Sequence, residues 1–202
     1  MNIVKQLVLD YGINFICKYQ AFSENDIKKL RYGLEGIYLT VTKLVVLLFL
    51  AIILDIVKEF VLVILLFNVI RYTGFGFHAG KSYQCLLFST FSFIVIPYFL
   101  LNINISISVI YIISSICVSH YLLFAPADTK KRPLPNKRKR IIRKIVTVLI
   151  GCIYTLAIIL LNSNYWTSII LSAMIIQTIV VSPLTYKLFG EPYNNYKMLN
   201  TK

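Results

Sequence analysis

Charged side chains are scarce in this sequence. Asp, Glu, Lys and Arg make up 14% of the 202 residues, where a soluble domain carries about 25%. So few charges cannot cover a water-facing surface of this size, which argues against a soluble globular domain. Acidic residues are the scarcer sign, 8 against 21 basic. No paired carboxylates stand near the middle of an apolar run, so the usual signal of a proton relay or cation site in a membrane is missing. No Walker motif is present, which argues against ATP-driven export by this chain. The four cysteines, Cys17, Cys85, Cys117 and Cys152, show no CxxC pair and no regular spacing. Neither a zinc site nor a disulfide framework is indicated, and no metal or cofactor is expected. The first 20 residues contain Lys5, Asp10 and Lys18 and no unbroken apolar core, unlike a cleavable signal.

What is abundant is hydrophobicity: 58% of residues, with a mean hydropathy of +0.75. The apolar runs fall at about 36–57, 60–70, 83–101, 105–125, 145–161 and 166–183. A full crossing needs roughly 20 residues, and all runs but 60–70 come near that. The expected fold is an all-α polytopic membrane protein. It has about six transmembrane segments, one short or broken, preceded by an amphipathic helix. The net charge of +13 is not spread as a nucleic-acid footprint, and no nucleic-acid partner is expected. Nine of the 21 basic residues lie between Ala127 and Lys144, flanked by apolar runs, as in a topology-setting loop. Keeping basic segments in the cytoplasm places both termini, residues 71–82 and the loop 127–144 on the cytoplasmic side of a cell membrane. The uncharged joins at 102–104 and 162–165 then lie outside. This divides the chain into an N-terminal segment 1–35, a transmembrane domain 36–183 and a tail 184–202.

Residues 2–19 place Ile3, Val4, Leu7, Val8, Tyr11 and Phe15 on one helical face, suited to the membrane interface or to the protein's own bundle. Ser23 and Asp26 are spaced as a capping box that opens the next helix, with Asp replacing the usual Glu. Lys43 and Asp55 fall near the two ends of the first apolar run, where Lys43 can reach the surface and a structural role is favoured.

The fifteen residues RYTGFGFHAGKSYQC, 71–85, hold one of two histidines and one of four cysteines. A thiol is a useful nucleophile as thiolate, and an imidazole can take its proton and return it to a leaving amine. His78 and Cys85 are seven residues apart, about 10 Å along a straight helix at 1.5 Å per residue. A dyad therefore requires a bend, and Gly74, Gly76 and Gly80 permit one. Ser82 is then expected to cap the next helix, with Cys85 at its third position. There the end of the helix favours a thiolate and offers N–H groups to an oxyanion. Arg71 either holds a carboxylate or marks the membrane boundary.

Arg71-x4-Gly76-x-His78-Ala79-x5-Cys85, following a short apolar segment, resembles the signature of the accessory gene regulator B family, membrane cysteine endopeptidases of quorum sensing. APADTKKRPLP, residues 125–135, with the basic run to Lys144, is similar to that family's cytoplasmic loop, and YGLE, residues 32–35, is a weaker match. The segment Gly74-Phe75-Gly76-Phe77 departs from members with adjacent glycines. The resemblance implies a substrate, an AgrD-type precursor peptide with an amphipathic N-terminal part and an acidic C-terminal tail. It implies Cys85 as nucleophile and His78 as base, a thioester on Cys85, and ring closure by the precursor's own Cys or Ser.

The residues themselves suggest further roles. Lys130, Lys131 and Arg132 would attract the acidic tail. The N-terminal helix would meet the precursor at the same membrane depth. Asp128 would either orient the imidazole or cap and pair locally, the latter favoured. His120 reads as a packing or hydrogen-bonding residue. Besides the precursor, membrane lipids are partners, and a homodimer is an option for so small an enzyme. The competing readings are an oligomeric peptide transporter or export component and a non-catalytic scaffold.

Overall fold

The computed structural model describes residues 2–20, 22–77, 81–129 and 133–196, together with the backbone but not the side chains of residues 2 and 3. All regular structure among them is helical: α1 (Asn2–Cys17), α2 (Glu24–Ile53), α3 (Val57–Gly74), α4 (Ser82–Thr90), a π-helical turn (Phe91–Val95), α5 (Ile96–Asn102), α6 (Ile107–Phe124), α7 (Lys137–Leu161), α8 (Asn164–Val181) and α9 (Pro183–Leu188). Five stretches are long and apolar enough to cross a membrane: α2, the continuous helix Ser82–Asn102, α6, α7 and α8. The protein is an all-α polytopic membrane protein. The short apolar run 60–70 is extended by its flanks into the 18 residues of α3, which carries Lys58, Glu59 and Arg71 near its ends.

The chain divides into two compact units, residues 1–49 and 50–202. In the first, α1 turns Leu9 and Ile13 inward, with Gly12 beside Leu34. Ion pairs Lys5–Glu35 and Asp10–Arg31 join α1 to the first turns of α2. Val4, Leu7, Val8, Tyr11 and Phe15 stay exposed, as a lipid-facing stripe would. The expected capping box is present: Asp26 N donates to Ser23 Oγ at 3.3 Å, and Ser23 Oγ donates to Asp26 Oδ2 at 2.6 Å. Ile37, Val41, Leu44, Val45 and Phe49 of α2 are exposed, which in water would be a liability and in lipid is ordinary solvation.

In the second unit the helices assemble around α8. Its buried residues include Ile169, Leu171, Ala173, Met174, Ile176 and Val181, all with essentially no exposure. Helices α3, α5, α6 and α7 pack against it. Tyr121 Oη, fully buried on α6, donates to Met174 O at 2.6 Å, and Tyr154 Oη on α7 donates to Leu66 O at 2.8 Å. These bonds satisfy phenols inside an apolar core, where an unpaired hydroxyl costs about 1–3 kcal/mol.

The joins follow from local chemistry. Asp55 N donates to Ile52 O at 3.1 Å and Ile56 N to Ala51 O at 2.9 Å, the paired bonds of a Schellman stop. Asp55 takes the left-handed position with φ 54°. It therefore lies in the turn after α2 rather than inside the span. Asn162 ends α7 in the left-handed position as well, with φ 42° and ψ 41°, but through a single bond from its N–H to Ile158 O at 3.3 Å. Pro97 explains the π turn. It has no N–H to give to the carbonyl four residues back and its ring would strike that carbonyl, so one extra residue is accommodated just before it.

Candidate functional site

The motif begins at the last turn of α3. A Cβ on Gly74 would stand 2.5 Å from Gln177 Nε2 and 3.1 Å from Thr147 Cγ2. Phe75 follows with φ 51° and ψ −142°, a conformation that costs a non-glycine residue on the order of 1–3 kcal/mol. Gly76 has φ +127°, and a Cβ there would come within 2.7 Å of Val180 O and 2.5 Å of Arg71 Nη1. The glycines at 74 and 76 thus let the chain leave α3 sharply against α8. His78, Ala79 and Gly80 lie outside the described residues.

Residues 75–77 are held from several sides. Arg71 donates from Nη1 to Phe75 O at 2.9 Å and from Nη2 to Phe77 O at 2.6 Å. Gln177 Nε2 donates to Phe75 O at 3.0 Å. Phe77 N donates to Val180 O at 2.8 Å and Ala127 N to Gly74 O at 3.0 Å, with an isolated parallel bridge between Phe75 and Ala127. The Arg143 guanidinium lies 4.3 Å from the Phe75 ring centroid and donates to Tyr72 O at 3.0 Å. Arg71 therefore spends both terminal nitrogens on backbone carbonyls. Among the described residues no carboxylate forms a salt bridge with it.

The chain re-enters a helix at Ser82. Lys81 is extended, with φ −109° and ψ 139°, and holds the N-cap position. The expectation that Ser82 caps this helix is corrected: Ser82 is already its first residue. The first intrahelical bond runs from Cys85 N to Lys81 O at 3.0 Å, so a backbone carbonyl, not the Ser82 hydroxyl, sets the start. Cys85 is the fourth helical residue and its own N–H is used. The N–H groups without an intrahelical partner are those of Ser82, Tyr83 and Gln84. Cys85 is partly buried, and none of the four cysteines is in a disulfide.

An aromatic cluster draws the two halves of the motif together. The Phe77 ring lies 5.8 Å from Phe88, 4.5 Å from Phe189 and 5.9 Å from Tyr186. Phe88 is three residues beyond Cys85, hence on the same flank of α4. The residue before His78 and the turn after Cys85 therefore share one cluster.

Asp128 is buried, with 2% of its surface exposed. Its carboxylate accepts from the backbone N–H of Asn195 at 3.0 Å, Tyr196 at 2.8 Å and Leu134 at 3.2 Å. Asn195 Nδ2 donates to Asp128 O at 3.3 Å and Tyr186 Oη to the same carbonyl at 3.1 Å. Tyr193 Oη donates to Phe124 O at 3.2 Å, and the Arg140 guanidinium lies 3.3 Å from the Tyr196 ring centroid. Asp128 thus ties the segment after α6 to the tail. Burial pushes the Tyr193 phenol up to about 12, with the Asp128 and Tyr196 charges adding and Arg140 opposing. Burial also raises Tyr186, against a lowering by Arg71. Lys130, Lys131 and Arg132 lie outside the described residues. His120 packs on Phe124, ring centroids 4.5 Å apart.

Sequence reasoning missed Gln177, Val180 and the tail residues Tyr193, Asn195 and Tyr196. A lone Gln inside the last apolar run was the one available signal.

The family model for accessory gene regulator B matches residues 9–181. An AgrB-like protein of Listeria innocua is 31% identical over 172 residues, covering 84% of this chain and 83% of its own length. A Clostridium acetobutylicum AgrB-like protein is 28% identical, covering 83% and 80%. Accessory gene regulator protein B of Staphylococcus aureus is 26% identical over 178 residues, covering 88% and 94%. No solved structure matches the chain. With the match extending through the glycine-bent motif, the basic loop and the central helix α8, the chain belongs to the accessory gene regulator B family of the agr quorum-sensing system.

Proposed function

We propose that the protein is a membrane-embedded cysteine endopeptidase that removes the C-terminal tail of an AgrD-type precursor peptide. Cys85 is the nucleophile and His78 the general base. The Cys85 sulfur bonds to the scissile carbonyl carbon and the peptide C–N bond breaks. The thiol proton passes through His78 to the leaving amine. A Cys or Ser of the precursor then attacks the thioester, its proton goes to the Cys85 sulfur, and a thiolactone or lactone closes. Exchanging one thioester for another is nearly isoenergetic, so the thiolactone ring needs no ATP. Keeping water from the acyl-enzyme favours cyclisation over hydrolysis.

The observation that carries this reading is the placement of Cys85. It sits in the first turns of a helix that starts afresh after the glycine bend. Its flank is joined through Phe88 to Phe77, the residue before His78. The N–H groups of Ser82, Tyr83 and Gln84 at that helix start have no intrahelical partner and can receive an oxyanion. Lys130, Lys131 and Arg132 receive the acidic tail, and Arg71 and Gly76 shape the loop. Both termini and this motif face the cytoplasm across six crossings that include α3. Lipids solvate the exposed apolar faces, and a homodimer is compatible with the reading.

Intact-mass spectrometry tests it. Unchanged protein and Cys85→Ala are each co-expressed with the precursor peptide. The reading expects tail loss and an acyl adduct on the unchanged protein alone, with His78→Ala equally inactive while still accumulating in the membrane. Equal cleavage by Cys85→Ala would sink it.

A further inference from the structure

Gln177 lies about one turn from the C-terminal end of the most buried helix, with no exposed surface. Its Nε2 donates to Phe75 O at 3.0 Å, across 102 residues of sequence. Its Oε1 is buried and has no partner among the described residues. A buried amide left half-satisfied costs about 1–3 kcal/mol. An apolar side chain of the same length would avoid that cost, so stability alone does not account for Gln here.

What the amide does hold is the carbonyl of Phe75, which among the described residues of the motif has the strained backbone. Phase and place matter here. Phe75 sits at φ 51° and ψ −142°, and its carbonyl takes a second bond from Arg71 Nη1. One turn of α8 further on, Val180 O accepts from Phe77 N at 2.8 Å. Helix α8 therefore fixes both ends of residues 75–77, the three residues that lead directly into His78. Gly74 completes the fit, since any side chain there would displace the Gln177 amide.

We propose that Gln177 is a positioning residue for the dyad: its side-chain amide, by gripping Phe75 O, sets the path on which the chain delivers His78 towards Cys85. This rests on the endopeptidase reading. Misplacing a catalytic group by about 1 Å can cost on the order of a hundredfold.

The test uses the full-length protein in liposomes with Gln177→Met, which keeps length and volume but removes the donor. Ile170→Ala, on the same buried helix and away from the motif, is the control for simple destabilisation. Two readouts are taken. The first is kcat and KM for precursor cleavage. The second is the pH dependence of Cys85 alkylation by iodoacetamide, located by peptide mapping, which needs no substrate. Gln177→Met is expected to lower kcat roughly 10- to 100-fold with KM within about twofold. It should also shift its alkylation profile to that of His78→Ala. Ile170→Ala is expected to melt earlier with both readouts unchanged. An unaltered alkylation profile in Gln177→Met, or an equal change in Ile170→Ala, overturns the inference even if the unchanged protein cleaves. Conversely, no cleavage by the unchanged protein together with an altered Gln177→Met profile defeats the endopeptidase reading, and with it the catalytic role of Gln177, while the coupling of Gln177 to Cys85 still holds.

Discussion

At the scale of single residues, one glycine and one aspartate carry the sharpest expectations. Gly76→Ala forces a Cβ at φ +127° into Val180 O and the Arg71 guanidinium. Neither the backbone nor a group already bonded to two carbonyls can yield cheaply. A loss of about 1–3 kcal/mol is expected from strain alone, read as a lower melting temperature in detergent. Asp128→Asn separates two roles. Where an aspartate orients a catalytic histidine, changing it to Asn costs about 10⁴ in kcat. Here the carboxylate is occupied by three backbone N–H groups. The expected outcome is a loosened tail with kcat lowered less than about tenfold, measured by precursor cleavage and limited proteolysis. The bend at Gly74 and Gly76 was legible in the sequence because a bend between two distant groups needs residues without side chains. Gln177 and Asn195 were not. Their partners lie 102 and 67 residues away, and no local pattern records such a contact.

Among the elements, the tail has a pH dependence of definite sign. The Tyr193 phenol is raised from 10.0 to about 12 in the folded protein. The neutral form is therefore favoured by folding. Its contribution is complete below pH 10, the ordinary value, and is lost as pH rises from there through about 12. Tyr186, raised for the same first reason, loses its part in the same direction. Mixing the protein from pH 8 to pH 11.5 should free residues 190–196 to added protease before the helices melt. Release on acidification instead would contradict this account. The helices themselves were legible as apolar runs, because a bilayer rewards uninterrupted hydrophobicity regardless of tertiary partners. The run 60–70 looked too short because Lys58, Glu59 and Arg71 bound it. In the fold those residues are ends of α3, where charged heads and guanidinium bonds are accommodated. The start of α4 was misplaced by one residue since a Ser beside a Lys signals a cap only when its hydroxyl is used, and here Lys81 O sets the first bond instead.

For the whole molecule the central expectation is sidedness. Single cysteines placed at Asn104 and Asn162 in a background without the four native ones should react with an impermeant maleimide from outside intact cells. Cysteines at Asn2 and Asn136 should react only after permeabilisation. Labelling of Asn104 and Asn136 from the same side would remove the six-crossing arrangement. The fold class was legible from composition alone, since 14% charge leaves a chain of this size no soluble option. What composition could not reveal is which helix is central. Helix α8 differs little in apolar content from α6, yet far more of it is buried. The difference arises from small and branched side chains meeting four neighbours at once, a property of the assembly.

The π turn at Phe91–Val95 sets a rule for how the span carrying Cys85 can change in length. Each residue of an α-helix advances the face by about 100°. The turn holds one residue more than ordinary pitch, so Ser89, Ser92 and Pro97 all stay buried although a plain helix would bring 96 to that side. Replacing a residue between 91 and 95 leaves this phase untouched. Deleting one returns the segment to ordinary pitch, which brings Pro97 to the side of Ser89 and Ser92 and keeps the phase of Cys85, whereas inserting one more turns Cys85 by about 100° against the distal half. Substitutions and single deletions there should thus be tolerated while single insertions silence Cys85, a contrast that a scan of paired variants would read directly as loss of precursor cleavage.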